Sequence, residues 1–136
     1  MNIKNPLVLL TTLFLFGVAC AQTQKQTESI KTGIEVLQNN NFDVLNGKKV
    51  GLITNATGLS SSLKPTIDIL FEAENVELVA LYGPEHGARG EIAAGDKVDD
   101  YVDPVTQVPV YSLYGKTRKP TKEMLEDVEV LVYDIQ

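Results

Sequence analysis

Cysteine occurs once in this sequence, at position 20, so no pair is available for an intramolecular disulfide. Histidine also occurs once, as His86. A lone imidazole without partner cysteines is a poor basis for a transition-metal site, and no metal is assigned. Basic residues are the minority, 12 Lys+Arg against 18 Asp+Glu for a net charge of −6. That balance argues against a nucleic-acid partner, which calls for a basic face, but leaves room for an anionic ligand at one local cluster. The apolar run from Pro6 to Val18 is too short and wrongly flanked for a membrane-spanning helix. The glycines lack the dinucleotide-binding order: Gly51 falls inside a strand, Gly58 stands alone, and Gly83, Gly87 and Gly90 are too widely spaced. Gly115-Lys116-Thr117-Arg118-Lys119 lacks the Walker A order. No cofactor is expected.

The first residues are an address rather than a fold. Residues 1–21 read as a secretory signal, with Lys4 ahead of the apolar run, and 22–27 as a polar linker. Two processing readings compete. Ala19-Cys20-Ala21 is an A-x-A site that would release a soluble protein. Gly17-Val18-Ala19-Cys20 instead resembles a bacterial lipobox, and a sole cysteine at the end of an apolar run tips the balance toward lipidation of Cys20. Either way the protein is expected to be exported, periplasmic or anchored to the membrane by lipid. Removal of 1–21 takes only Lys4 among the charges and leaves about 115 residues, enough for one small domain.

Residues 28–136 alternate between short apolar runs and helical periodicity. Ile30, Ile34 and Leu37 predict an amphipathic helix over 28–38, ended by Asn39-Asn40-Asn41. Val50 to Thr54 suits a buried parallel strand. Ser60–Ser62 and Pro65 start a second helix with Ile67, Leu70 and Phe71 as its buried face. Val76 to Tyr82 is the second strand, followed by a long polar loop over 83–107. Residues 108–113 form a weaker strand whose Pro109 suits a sheet edge. Thr121 is expected to cap a helix through Asp127 with Met124 and Leu125 facing inward. Residues 128–136 read as a buried strand running off the end, which predicts a truncated domain with a second one beyond. The implied fold is α/β, a Rossmann-like, mostly parallel sheet.

In such sheets ligands bind beyond the carboxyl ends of the strands. Asn55, the loop from Glu85 to Glu91, the Gly115–Lys119 loop and Asp134 all fall at such ends. Glu85, His86, Arg89 and Glu91 lie within seven residues and supply two carboxylates, an imidazole and a guanidinium, the ingredients of an acid/base site. Each has a plainer reading. Glu85 can cap backbone N–H groups, Arg89 can pair with Glu85 or Glu91, and Lys116, Arg118 and Lys119 can be a solvated turn. Asp134 can bind a hydroxyl, act as a second carboxylate, or cap the next element.

GLITNATG (51–58), PTIDIL (65–70), LYGPEHGARGE (81–91), AGDKVDDYVD (94–103), PVYSLYGKTRKPT (109–121) and VEVLVYDIQ (128–136) occur in this order. Together they resemble the N-terminal part of the exo-β-N-acetylmuramidases, the NamZ-like glycoside hydrolases of peptidoglycan turnover. The resemblance implies a Rossmann-like domain facing a second domain across the active-site cleft, and release of terminal N-acetylmuramic acid from non-reducing ends of glycans. It implies that Glu85 is catalytic, with His86 and Glu91 in the same loop, and that Asn55, Arg89, Lys116, Arg118 and Asp134 bind substrate, the cations recognising the lactyl carboxylate. The partner of Glu85 stays open among Glu91, Asp134 and the substrate's own acetamido group. The chain alone is expected to be inactive. A non-catalytic exported glycan-binding protein and a periplasmic hydrolase of another substrate are the competing readings.

Overall fold

The computed structural model describes residues 30–96 and 99–136. The expected signal, the linker and Cys20 lie outside the described residues.

Helix α1, Gly33–Asn39, starts later than the periodicity predicts. Its start is fixed by Thr32 and Glu35: Glu35 Oε2 accepts the Thr32 backbone N–H at 2.8 Å and the Thr32 hydroxyl at 3.0 Å, closing the first turn as a capping box does. Ile30 therefore lies outside the helix and is exposed, while Ile34 is buried. Strand β1, Lys48–Thr54, leads to α2, Thr66–Phe71, and then to β2, Val76–Gly83. The buried face of α2 is Thr66, Ile67, Ile69 and Leu70. Phe71, expected inside, is the last residue of the helix and is 48% exposed.

A two-residue strand, β3, Tyr101–Val102, lies within the expected polar loop. It pairs antiparallel with β4, Pro109–Ser112, and takes the edge position expected for β4 from its proline. Pro109 is tolerated because it is the first residue of its strand. A 3₁₀ turn over Glu123–Leu125 replaces the expected helix, with the Met124 backbone N–H donating to the Thr121 hydroxyl at 3.3 Å. Strand β5, Val130–Asp134, follows.

The sheet has five strands in the order β3-β4-β2-β1-β5, and every pairing except β3 with β4 is parallel. Leaving out β3, the order is that of a Rossmann half, with the chain reversing direction across the sheet between β1 and β5. Val50, Leu52, Leu78, Leu81 and Val110 form the core with Ile34, Ile67 and Leu70 from the helices, and Val130 and Val132 pack against it. The opposite face is crossed by the 3₁₀ turn, where the Tyr82 hydroxyl donates to the Met124 carbonyl at 2.6 Å. Strand β5 is an edge of this sheet rather than a strand buried on both faces: its residues alternate, and Tyr133 is 68% exposed. Among the described residues no helix is long and apolar enough to cross a membrane.

Candidate functional site

Parallel pairing lines up the carboxyl ends of four strands. Gly83 pairs with Ser112, Ile53 with Tyr82, and Thr54 with Asp134. Continuing those registers past the last rungs puts Tyr114, Glu85, Asn55-Ala56 and Ile135-Gln136 along one rim. The loops touch where glycine permits: a Cβ on Gly90 would come within 2.6 Å of the Ala56 Cβ, and Gly90 itself has a φ of +80°, a region other residues rarely enter.

The loop after β2 is closed on itself. The Ile92 N–H donates to the His86 carbonyl at 3.2 Å, and His86 Nδ1 lies 3.0 Å from the Ile92 carbonyl. A carbonyl can only accept, so Nδ1 carries a proton and Nε2 of the exposed ring is left pointing outward. Glu91 folds back over Gly87. One of its oxygens accepts the Tyr101 hydroxyl and the other the Arg89 backbone N–H at 3.0 Å. Burial first, and then the bond to Glu91, raise the Tyr101 pKa.

Arg89 pairs with neither glutamate. Its Nε and Nη2 grip Asp103 at 2.6 and 3.0 Å, and Nη2 also donates to Asp68 of α2 at 2.7 Å. Asp103 has a side-chain exposure of only 1% and further accepts the Thr106 N–H at 2.9 Å and its hydroxyl at 2.7 Å. Burial alone would raise the Asp103 pKa, but the Arg89 and Thr106 donors outweigh it and hold the carboxyl at about 2. Arg89 is thus a half-buried tie between the Glu85 loop, the 103–106 turn and α2. Together with Asn55 it also lines a hollow of about 270 Å³. Asp103 was not among the residues expected from sequence. Its signal was Asp-x-x-Thr, a carboxylate positioned to accept from a backbone three residues on.

Glu85 stands apart from this network. It is half-buried, forms no ion pair among the described residues, and lies near Tyr114, whose pKa is raised by the neighbouring Glu85 carboxylate. Tyr114 and Lys116 line a cavity of about 520 Å³ with Asp99, Asp100, Ser112 and Met124, within the size range of ligand pockets. The guanidinium of Arg118 lies 5.7 Å above the Tyr114 ring centre.

Asn55 and Asp134 lie on the rim but are turned to the fold. Asn55 Oδ1 accepts the Thr57 N–H at 3.0 Å and the Thr57 hydroxyl at 2.6 Å. Asp134 accepts the Thr66 hydroxyl and lines a small hollow with Ile34 and Leu37 of α1, on the helix side of the sheet. The structure therefore places Lys116 in one hollow with Tyr114, and Asn55 and Arg89 in a second, with Glu85 on the same rim but lining neither. It leaves Asp134 away from both hollows and His86 in solvent. Among the described residues no group of three or more His, Cys, Asp or Glu could hold a metal ion.

Residues 50–136 match the family model described as "Exo-beta-N-acetylmuramidase NamZ, N-terminal". A peptidoglycan β-N-acetylmuramidase, NamZ of Bacillus subtilis (strain 168), is 48% identical over 98% of this chain and 34% of its own. Two crystal structures of DUF1343 family proteins from Bacteroides fragilis NCTC 9343 are similar. The first, BF0371, is 65% identical with a TM-score of 0.70, covering 78% of this chain and 26% of its own. The second, BF0379, is 32% identical with a TM-score of 0.60, covering 79% of this chain and 26% of its own. The chain thus spans about a third of the length of the curated relative it matches.

Proposed function

Because this chain belongs to the NamZ exo-β-N-acetylmuramidase family, we propose that its rim forms half of the active site of a glycosidase. That enzyme releases N-acetylmuramic acid from non-reducing ends of peptidoglycan-derived glycans. The observation that carries this reading is the position of Glu85: at the carboxyl end of a central parallel strand, outside the ion-pair network, and two residues past the rung whose other strand leads to Tyr114, which lines a cavity with Lys116. Glu85 gives its proton to the glycosidic oxygen as the bond to the anomeric carbon breaks. Both oxygens of Glu91 are engaged within the loop and Asp134 faces the helices. In this reading the substrate's own acetamido oxygen attacks the anomeric carbon. Water opens the resulting ring, and its proton returns to Glu85. Lys116 supplies charge for the lactyl carboxylate; Arg89, neutralised by two aspartates, contributes shape more than charge. A second domain faces this rim, a reading supported by the relative's greater length.

The test is product analysis of the full-length protein given two disaccharides, one with muramic acid at the non-reducing end and one with glucosamine there. Free N-acetylmuramic acid from the first, and no cleavage of the second, is the expected result. Binding without cleavage of either would make this an exported glycan-binding protein, and turnover only of unrelated esters or phosphates a different hydrolase.

The reading also places the protein outside the cytoplasm, on the strength of the apolar run from Pro6 to Val18 and the cysteine that ends it. Cys20→Ser is expected to move the protein from the membrane fraction to the soluble fraction of fractionated cells. An unchanged distribution would favour release after Ala21.

A further inference from the structure

We propose that Tyr101 and Glu91 form a latch that positions Glu85 by closing the loop that carries it, so that both act through that loop rather than on substrate. The inference rests on the reading of Glu85 as the acid. Glu85 and His86 are the middle residues of a four-residue turn, closed by the Gly87 N–H donating to the Pro84 carbonyl at 2.9 Å. On its upstream side the turn is tied to the sheet. Gly83 pairs with Ser112, and the Leu113 N–H donates to the Gly83 carbonyl at 2.8 Å. On its downstream side two side chains tie it. The Tyr101 hydroxyl accepts the Ala88 N–H at 3.3 Å and donates to one oxygen of Glu91. The other Glu91 oxygen accepts the Arg89 N–H at 3.0 Å. Consecutive backbone donors, three and four residues past Glu85, are thereby held by one linked pair.

The sheet delivers Tyr101 to this point. Tyr101 pairs with Val110 of β4, which pairs with Leu81 of β2, so the three lie in one row across the sheet and face the same side. Leu81 and Val110 belong to the core, and Tyr101 packs against it. Burial, and then the bond to Glu91, raise the Tyr101 pKa, so the phenol stays a donor. The loop backbone makes room for the latch. A Cβ on Gly87 would come within 2.9 Å of the Glu91 carboxylate, and Gly87 has a φ of +78°, so the carboxylate lies against the turn only because no side chain stands there. A Cβ on Gly83 would come within 2.7 Å of the Ala88 nitrogen, so the closed loop is pressed onto the end of β2. A carboxylate on a turn is only as well aimed as its backbone, and an acid must meet the glycosidic oxygen within hydrogen-bond reach. Holding the turn at both ends supplies that aim before substrate arrives.

Tyr101→Phe removes the hydroxyl and keeps the ring against the core. In the full-length protein, kcat for release of muramic acid from a muramic acid–glucosamine disaccharide is expected to fall about tenfold, the low end for a hydrogen bond to a charged group because Glu91 is exposed. On an aryl muramide, whose leaving group departs without a proton, kcat should fall less than about threefold. Glu91→Gln keeps the size of an exposed side chain but offers one acceptor oxygen to two donors, so it should show the same split. A merely structural role would move both substrates together. A second readout needs no activity. The Ala88 amide proton should exchange about tenfold faster in Tyr101→Phe than in the wild type, with exchange in β2 unchanged. Equal losses on the two substrates, no loss on the disaccharide, or unchanged exchange at Ala88 each overturn the proposal. So does a loss of about a thousandfold on both substrates in Glu91→Gln, which would put Glu91 in the chemistry itself. If the wild type itself releases no muramic acid, the function assigned to Glu85 fails, and exchange at Ala88 alone decides whether the latch holds the loop.

Discussion

Glu85→Gln in the full-length protein is expected to lower release of muramic acid from a muramic acid–glucosamine disaccharide about a thousandfold, within the range for loss of a general acid. The amide keeps the size of the side chain, and Glu85 makes no ion pair among the described residues, so folding should be unaffected. The loss should depend on the leaving group. A glucosamine hydroxyl is a poor leaving group and needs the proton; an aryl muramide departs without one. The deficit on the aryl substrate should therefore be at least about tenfold smaller than on the disaccharide. Steady-state kinetics on both substrates reads this directly. Equal losses on both would give Glu85 a role other than acid.

The second large effect is on stability. Asp103→Ala is expected to cost about 3–5 kcal/mol, the range for removing one partner of a buried ion pair. Arg89 would lose two of its three hydrogen bonds to carboxylates, and both Thr106 donors would lose their acceptor. Asp68→Ala should cost less, about 1 kcal/mol, because Asp68 makes one bond to Arg89 and is more exposed. Urea unfolding of the two variants separates them. Comparable losses would show that Asp103 is not the anchor. The pH dependence follows from the direction of the shift. The carboxyl is held at about 2 against an ordinary value of 3.8, so its contribution is fully present above that ordinary value. It is lost as pH falls through the folded value. The wild type should accordingly lose about 2 kcal/mol between roughly pH 4 and pH 2 through this group, and Asp103→Ala should lack that component.

Much of the fold is legible in the sequence because parallel strands covered by helices read as apolar runs. Val50 to Thr54 and Val76 to Tyr82 are strands within a residue or two of where the runs place them. Edges are harder to read. Residues 128–136 carry apolar side chains at alternate and adjacent positions alike, so the run looks buried on both faces. Only the sheet order shows β5 at an edge with Tyr133 open. Pro109 misleads in the opposite direction, because a two-residue strand too short to have a period covers β4. For the site, the Glu85 loop is visible as a cluster of charges, but the destinations of its side chains are not. Arg89 reaches Asp103, 14 residues away, and Asp68, 21 residues away, and no local pattern encodes either distance. Tyr114 was hidden for a related reason: it becomes a neighbour of Glu85 only once the β2–β4 register is known.

The central claim is that the rim around Glu85 is where the glycosidic bond is held. A crystal structure of full-length Glu85→Gln with the muramic acid–glucosamine disaccharide bound tests it most directly. The account predicts the glycosidic oxygen about 2.6–3.2 Å from the residue 85 side chain, with the lactyl carboxylate toward Lys116. A disaccharide bound with that oxygen beyond about 6 Å, too far even for one bridging water, would contradict it.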